Sequence, residues 1–187
     1  MLQGPDEACE EDIHPYMKKC PGFLLVLFLL VCSCTQAGPQ AVELKRFPAD
    51  GMEGVITASG IEVDRKTSSD GAGSLKIAVS GPTVVRLFEV SDIEVEDARL
   101  LYQAKVRSEA LEGTAYLEMW CHFPGRGEFF SRSLNNAVTA TTEWTTQETL
   151  FFLKEGEKPD LIRLNLVVDG KGTVWVDDIR LVKGPFN

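Results

Sequence analysis

Cysteine and histidine are scarce in the main part of this chain. The sequence has five cysteines and two histidines, but only Cys121 and His122 lie beyond residue 40. A single cysteine cannot close a disulfide within a domain, and a structural zinc site needs four ligands, mostly Cys and His. The sequence therefore argues against a disulfide framework and a zinc centre, so stability has to come from a hydrophobic core.

Positive charge is also scarce. The chain has 19 Lys and Arg residues against 28 Asp and Glu residues, which gives a formal net charge of −9. Nucleic-acid binding requires clustered Lys and Arg on one face. We therefore expect no nucleic-acid partner.

Motifs that carry catalysis are missing as well. The chain has neither a G-x-S-x-G nucleophile elbow nor a phosphate-cradling glycine loop. Cys121 and His122 are neighbours in a predicted strand, so their side chains point to opposite faces and cannot form a direct pair. A glycosidase needs two carboxylates across a cleft, whereas Glu118 is the only acid on the candidate face described below. We expect a protein that is not an enzyme.

Helical periodicity is almost absent after residue 40. Short apolar or alternating runs are separated, at spacings of about ten residues, by clusters of Gly, Asp, Ser and Thr. This rhythm is typical of an all-β sandwich or barrel, and we predict one antiparallel domain. The predicted strands are Val42–Phe47, Gly54–Ala58, Ile61–Asp64, Ser74–Val79, Thr83–Val90, Arg99–Arg107, Thr114–Phe123, Glu128–Arg132, Thr146–Leu153, Leu161–Val168 and Thr173–Val182.

The stretch MKKCPGFLLVLFLLVCSCTQ, from Met17 to Gln36, has the parts of a secretory signal peptide. Two lysines are followed by an unbroken apolar run and then by small residues. A permanent membrane span needs roughly 20 apolar residues, so this run is too short. Residues 1–16 carry five acidic residues and no Lys or Arg. We interpret them as a start-site artefact, with translation beginning at Met17, or as an acidic extension.

The residues around Cys34 resemble the lipobox of bacterial lipoproteins. Val31 fills the −3 position and Ser33 the −1 position, with Cys34 at +1. The resemblance implies that residues 17–33 are a lipoprotein signal peptide and that Cys34 carries the acyl chains of a membrane anchor. Stable anchoring takes two or more chains. A plain signal peptide with incidental cysteines is the alternative.

Processing at that cysteine would leave an acidic, lipid-anchored domain. Residues 34–41 would form the anchor and a short linker, and residues 42–187 the folded domain. Without the five acids and two lysines of residues 1–33, the formal charge of −9 becomes −6. The resemblance implies a place in the cell envelope. In a Gram-negative cell this would be the outer membrane, because Thr35 is not the Asp associated with inner-membrane retention.

Alternation along the predicted strands sorts their side chains into two faces, since successive side chains point to opposite sides. One face is apolar and is assigned to the core: Tyr102, Ala104, Val106, Leu117, Met119, Cys121, Phe123, Ile162, Leu164 and Leu166. The other face is polar and aromatic: Gln103, Lys105, Arg107, Tyr116, Glu118, Trp120, His122, Arg163 and Asn165.

Three stretches together resemble carbohydrate-binding modules of the galactose-binding-like jelly-roll type. They are DGAGSLKI (residues 70–77), TTEWTTQ (residues 141–147) and the terminal GTVWVDDIRLV (residues 172–182). In that group a DG turn feeds an early strand, a Trp precedes a late strand, and the last strand contains an Asp-Asp pair. The resemblance spans most of residues 42–183 and implies an antiparallel β-sandwich (jelly roll).

The resemblance also implies a structural Ca²⁺ where the first strand, an early loop and the last strand meet. The motif-matched residues are Asp70 in the turn and Asp177 or Asp178 in the last strand. Oxygen ligands, carboxylates among them, suit Ca²⁺. The alternative is that Asp70 only shapes a turn and that the aspartate pair caps a strand end.

Glycan binding on the concave sheet face is the second implication. Sugar recognition uses an aromatic ring against the C–H face of the sugar, with polar groups hydrogen-bonding its hydroxyls. Strand alternation in this sequence, rather than a family motif, supplies the candidates: Tyr116, Glu118, Trp120, His122, Gln103, Arg107, Arg163 and Asn165. The alternative is a solvated face whose charged residues form ordinary cross-strand pairs.

We therefore expect a membrane-anchored, non-catalytic lipoprotein that binds a glycan or polysaccharide. A lipid-anchored domain that docks another protein is the main alternative, with a partner that the sequence does not name. An accessory domain of a separate catalytic subunit is the third reading.

Overall fold

The computed structural model describes residues 40–186, which form eight β-strands and a short 3-10 turn at Leu134–Asn136. The strands are β1 (Val42–Phe47), β2 (Ile61–Asp64), β3 (Ser74–Val79), β4 (Thr83–Ser91), β5 (Ala98–Phe123), β6 (Gly127–Arg132), β7 (Val138–Leu153) and β8 (Leu161–Gly184). All strand pairs are antiparallel. The predicted all-β, antiparallel fold is confirmed.

The signal peptide and the lipidation site, Cys34, lie outside the described residues. Their assignment remains a prediction from the sequence. Within residues 40–186, no helix is both long enough and apolar enough to cross a membrane.

Strands β5 and β8 are unusually long, with 26 and 24 residues. A straight strand of 26 residues would span about 85 Å, whereas a domain of this size is about 40 Å across. Ala98, at the start of β5, pairs with Leu153 of β7. Phe123, at the end of β5, contacts Phe151 of the same strand β7. Both ends of β5 therefore lie at one end of the domain, and the strand folds back over itself.

The fold-back is located at a close approach of two backbones. Gly113 of β5 lies opposite Gly170 of β8. A Cβ atom on Gly170 would lie 2.0 Å from the Glu112 carbonyl oxygen, and one on Gly113 would lie 2.1 Å from the Asp169 carbonyl oxygen. Only glycine fits at such a distance. Because the strands stay paired through the bend, four strands predicted from the sequence form two continuous ones.

The bend creates two layers. The first layer contains β1, β2, β3, β7, residues 98–108 of β5 and residues 172–184 of β8. The second layer contains β4, β6, residues 114–123 of β5 and residues 161–168 of β8. Phe47 of β1 stacks on Phe88 of β4 with ring centroids 4.0 Å apart, which joins the two layers at one end.

One hydrophobic core fills the space between the layers. The apolar faces predicted from alternation are buried there, including Tyr102, Met119, Cys121 and Leu164 at 0 % exposure. Alternation makes the remaining side chains of the second layer point outward, and these form the surface described below.

The predicted strand Gly54–Ala58 is not a strand. This segment makes two backbone hydrogen bonds to β4, from the Ile56 N–H to Leu87 O (3.1 Å) and from the Thr57 N–H to Arg86 O (3.0 Å). The segment begins in a turn at residues 53–54, where Gly54 has φ +74°, and not in extended backbone. The segment lies beside Arg86, where the β4–β8 register shifts between Arg86 and Phe88.

Candidate functional site

The outer face of the second layer carries a depression of about 450 Å³, which we call the groove. It crosses all four strand segments of that layer, β4, β8, β5 and β6. Its lining residues are Val84, Arg86, Glu118, Trp120, Glu128, Arg132, Arg163 and Asn165. Four of the eight ligand-binding residues predicted from the sequence, Glu118, Trp120, Arg163 and Asn165, are among them.

Strand register explains why these side chains meet. Trp120 of β5 lies opposite Arg163 of β8 on one side and Phe130 of β6 on the other. Two residues away along each strand, Glu118 lies opposite Asn165 on one side and Arg132 on the other. Two rows of side chains therefore run across the four strands. One row is Glu89, Arg163, Trp120 and Phe130, and the other is Arg86, Asn165, Glu118 and Arg132. Neighbouring strands lie about 4.8 Å apart, so each row spans the groove.

Glu118 lies at the bottom of the groove, where it is only 4 % exposed and accepts hydrogen bonds from three neighbouring side chains. Its Oε1 accepts hydrogen bonds from the Trp120 Nε1–H (2.7 Å) and the Asn165 Nδ2–H (3.1 Å). Its Oε2 accepts one from the Arg132 Nε–H (2.7 Å). Burial alone raises the pKa of Glu118, but these three donors outweigh burial and hold the pKa below its ordinary value. The carboxylate therefore stays charged and fixes three neighbouring side chains.

Trp120 and Val84 supply the apolar lining of the groove, and the Phe130 ring packs against Trp120. The rings of Trp120 and Phe130 are tilted by 41° with centroids 4.9 Å apart. Trp120 is half-buried and Phe130 is 50 % exposed. The Arg132 guanidinium lies 4.4 Å from the centre of the Phe130 ring. The hydrogen bond from the indole N–H to Glu118 holds the Trp120 ring in this orientation.

The three arginines of the groove differ in their partners. Arg132 pairs with Glu118, and Arg163 pairs with Glu89 (3.2 Å) and Glu128 (2.7 Å). Arg86 is exposed and makes no ion pair with an acidic side chain among residues 40–186.

Tyr116 and His122 border the groove without lining it. Tyr116 lines an adjoining depression of about 290 Å³ that shares Val84, Glu118 and Arg132 with the groove. His122 lies at the other end, opposite Glu128 of β6, and its Nδ1 is 2.5 Å from Asp160 Oδ1.

Gln103 and Arg107 are not brought to the groove. They precede the bend in β5, so they lie on the outer face of the first layer. Gln103 donates to Glu148 at 2.5 Å, and Arg107 lies 4.9 Å over the Trp175 ring. The expectation that all eight candidates share one face is therefore wrong for these two, because β5 continues through a bend that strand alternation cannot show.

Sequence reasoning missed Arg86, Glu128, Phe130 and Arg132 as neighbours of Trp120. Alternation in β4 places Val84 and Arg86 on one face, and that signal was readable. The pairing of β6 with β5 brings the other three residues to the groove, and it depends on a hairpin register that the sequence alone does not give.

Three carboxylates meet at a second place in the fold. Oxygen atoms of Asp50, Asp70 and Asp177 all lie within 4.8 Å of one another. Asp177 is fully buried and accepts backbone N–H bonds from Ser69 and Asp178, each at 2.7 Å. Burial raises the pKa of Asp177, and the nearby Asp70 carboxylate raises it further.

The composition of this cluster fits a hard cation. Asp50 Oδ1 is buried without a hydrogen-bond donor among the described residues. Carboxylate oxygens that lie close together, one of them without a hydrogen-bond donor, suit Ca²⁺, which takes oxygen ligands. Asp50 was not predicted as a ligand, although it follows β1, the first strand named by the resemblance.

Asp178 points away from the cluster. It pairs with Arg46 (3.0 Å) and Arg180 (2.8 Å) instead. Its backbone has φ +46°, and the β5–β8 register shifts here, so this is a β-bulge. Asp177 and Asp178 therefore have different partners, Ser69 for the first and Arg46 and Arg180 for the second. Of the predicted metal residues Asp70, Asp177 and Asp178, the structure therefore groups only Asp70 and Asp177.

The single cysteine among residues 40–186 is not placed to act as a nucleophile. Cys121 is fully buried in the core, and burial raises the pKa of its thiol to about 12. A thiol with that pKa stays protonated at neutral pH, whereas the thiolate is the reactive form.

No family model matches this chain, and no curated protein matches it. Solved structures that it resembles include carbohydrate-binding modules with a β-sandwich fold, which confirms the predicted sandwich. A family 16 carbohydrate-binding module is 14 % identical with a TM-score of 0.52, covering 71 % of this chain and 92 % of that one.

Two further neighbours belong to the CBM22 group. The CBM22-1 xylan-binding domain of Paenibacillus barcinonensis Xyn10C is 15 % identical with a TM-score of 0.57, covering 80 % of this chain and 99 % of that one. The Clostridium thermocellum CBM22-1–GH10 protein of xylanase Xyn10B, solved with xylohexaose, is 11 % identical with a TM-score of 0.57. That match covers 76 % of this chain and 28 % of the longer one. At these identities the likeness shows the fold.

We expect the change Glu118→Gln to destabilise the domain by about 2 kcal/mol at pH 7, because a buried charged hydrogen-bonding group is lost. Folding lowers the pKa of Glu118 from its ordinary value of 4.5. Its stabilising effect is therefore present above that pH and disappears as the pH falls through the lowered pKa. Urea unfolding at several pH values should show the difference in stability between wild type and variant shrinking as the pH falls below 4.5.

The matched control is Glu155→Gln, an exposed glutamate in the turn after β7. It should leave stability unchanged within about 0.5 kcal/mol. A gap between wild type and Glu118→Gln that persists unchanged at low pH would contradict the role assigned to the Glu118 carboxylate.

Proposed function

We propose that this domain is a non-catalytic carbohydrate-binding module that holds a glycan in the groove. The observation that carries the proposal is Trp120, which packs against Phe130 and lines a depression whose polar side chains are themselves held by hydrogen bonds. Xylan binding by the CBM22 neighbour and the xylohexaose in the xylanase structure support a carbohydrate ligand.

The chemistry of the groove matches a sugar ring. The face of a pyranose carries C–H groups that pack against an aromatic ring, while hydroxyls around its rim both donate and accept hydrogen bonds. Trp120 supplies the ring, and Asn165, Arg132 and Arg163 supply polar groups around it. Since Glu118 holds three of these side chains in place, little conformational freedom remains to be lost on binding, which favours affinity.

The expected effect of Trp120→Ala is loss of glycan binding in a folded protein. Truncating a central aromatic anchor costs about 2 kcal/mol or more, which corresponds to about 30-fold in affinity. Affinity electrophoresis of residues 38–187 through gels containing neutral and acidic polysaccharides would measure this effect and name the polymer class.

The control for that variant is Phe152→Ala, which removes another half-exposed aromatic ring, on the first layer. It should bind like wild type. If folded wild type is retarded by none of the polysaccharides, the carbohydrate proposal fails, and a protein partner becomes the next target.

We further propose that Asp50, Asp70 and Asp177 hold a structural Ca²⁺. Bound calcium would neutralise three neighbouring carboxylates and tie the loop after β1 to the β2–β3 loop and to β8. Such an ion would serve stability of the sandwich rather than the chemistry of the groove, which lies on the second layer.

Calcium should raise the melting temperature of the metal-stripped protein. At 100 times the dissociation constant, a ligand adds about 2.7 kcal/mol, or about 5–10 °C for a domain of this size. Asp50→Asn and Asp177→Asn should abolish the rise, whereas Asp178→Asn should keep it. Equal melting temperatures with calcium and with a chelator would contradict the site.

We propose, from the sequence, that Cys34 is lipidated and anchors the domain to the cell envelope, at the outer membrane in a Gram-negative cell. Residues 35–41 separate Cys34 from β1 and reach about 25 Å when extended. A domain on this tether would stay close to the membrane surface.

In a bacterial host, the full chain should fractionate with membranes, and Cys34→Ala should shift it to the soluble fraction. Cys32→Ala, at the neighbouring cysteine, is the matched control and should stay membrane-bound. Membrane retention of Cys34→Ala, or a soluble wild type, would rule out this anchor.

A further inference from the structure

Among the residues that the structure describes, Arg86 is the charged group of the groove without an acidic partner. Arg132 is neutralised by Glu118, and Arg163 by Glu89 and Glu128. Arg86 is exposed, lines the groove, and pairs with no carboxylate among residues 40–186. A guanidinium offers five N–H donors in a planar fork that matches a carboxylate.

A β-bulge and Thr57 fix the position of the Arg86 backbone. Arg86 precedes a β-bulge, where the β4–β8 register shifts between Arg86 and Phe88. Its N–H donates to Thr57 Oγ1 (2.9 Å), and its carbonyl accepts from the Thr57 N–H (3.0 Å). Bulges beside binding sites commonly redirect one side chain. Here the bulge and Thr57 fix the backbone from which Arg86 enters the groove.

Beside Arg86, the bottom of the groove is formed by a buried amide side chain. Asn165, which lies opposite Arg86, is 4 % exposed and lines the groove. Its Nδ2 donates to Glu118, while its Oδ1 has no donor among the described residues. Because Asn165 Oδ1 is itself buried, the group that this corner offers to a ligand is the exposed Arg86 guanidinium, which suits an anion.

We propose that the groove selects glycans that carry uronic acids, with the sugar carboxylate paired to Arg86. This inference rests on the proposed carbohydrate function and names the class of sugar. A uronic acid joins a carboxylate and hydroxyl groups on one ring, and the Trp120–Phe130 pair receives that ring or its neighbour. A neutral sugar leaves the Arg86 charge without a counter-charge.

Two matched pairs of polymers test the proposal: glucuronoxylan and polygalacturonate, each compared with the same polymer after reduction of its carboxyl groups to alcohols. We expect reduction to weaken binding of wild type by about ten-fold for the preferred polymer, which is 1.4 kcal/mol. Binding of the native polymer should also weaken at 0.5 M NaCl, because an exposed ion pair is screened.

Variants of Arg86 connect the carboxylate to this residue. Arg86→Gln should bind the native polymer about ten-fold more weakly and the reduced polymer as wild type does. Arg86→Lys should recover part of the loss, since it keeps the charge but not the planar fork. The matched control Arg65→Gln removes an exposed arginine from the β2–β3 loop and should behave as wild type.

Three results would overturn the inference. If wild type binds a native polymer and its reduced form equally, or binds neutral polysaccharides alone, carbohydrate binding stands but the carboxylate preference does not. If Arg86→Gln weakens binding of the native and the reduced polymer equally, Arg86 does not recognise the carboxylate. If no polysaccharide binds at all, the proposed function itself fails, and the inference fails with it.

Discussion

The bend at Gly113 and Gly170 is the constraint on which the rest of the structure depends. It lets two strands of 26 and 24 residues run through both layers of the sandwich without losing their pairing. The backbones approach so closely that a Cβ atom on either glycine would clash with a carbonyl oxygen. The bend also decides which residues share a surface. Trp120 and Glu118 follow it in β5 and enter the groove, whereas Gln103 and Arg107 precede it and face outward from the other layer.

Within the groove, one buried carboxylate organises the surface. Glu118 accepts hydrogen bonds from Trp120, Asn165 and Arg132, whose indole, amide and guanidinium groups all line the groove. A buried charge is costly unless it is fully hydrogen-bonded, and here three donors fill that need. The same bonds that stabilise the carboxylate keep the aromatic ring in one orientation. Stability and binding geometry therefore depend on the same residue.

Much of this arrangement could be read from the sequence. Alternation in residues 114–123 and 161–168 identified the buried face and the outward set that contains Glu118, Trp120, Arg163 and Asn165. Alternation is local, so it could not show that the segments before and after Gly113 belong to different layers. The hairpin register that brings Phe130 and Arg132 beside Trp120 is a pairing between two strands, which alternation within one strand does not give. The bulge at Asp178 is likewise a shift in the pairing of β5 with β8. Asp50 could not be linked to Asp70 and Asp177 because two loops and strand β8, far apart in the sequence, supply these residues.

The most direct test of a glycan site at Trp120 uses the three tryptophans of the chain as internal reporters. Each indole N–H gives its own signal in a ¹⁵N–¹H NMR spectrum of residues 38–187, assigned by single Trp→Phe variants. Titration with oligosaccharides from the retarding polymer should shift the Trp120 signal, while Trp144 and Trp175, which belong to the first layer, stay in place. Shifts at Trp144 or Trp175 with Trp120 unmoved would contradict the account and place the ligand on the opposite layer.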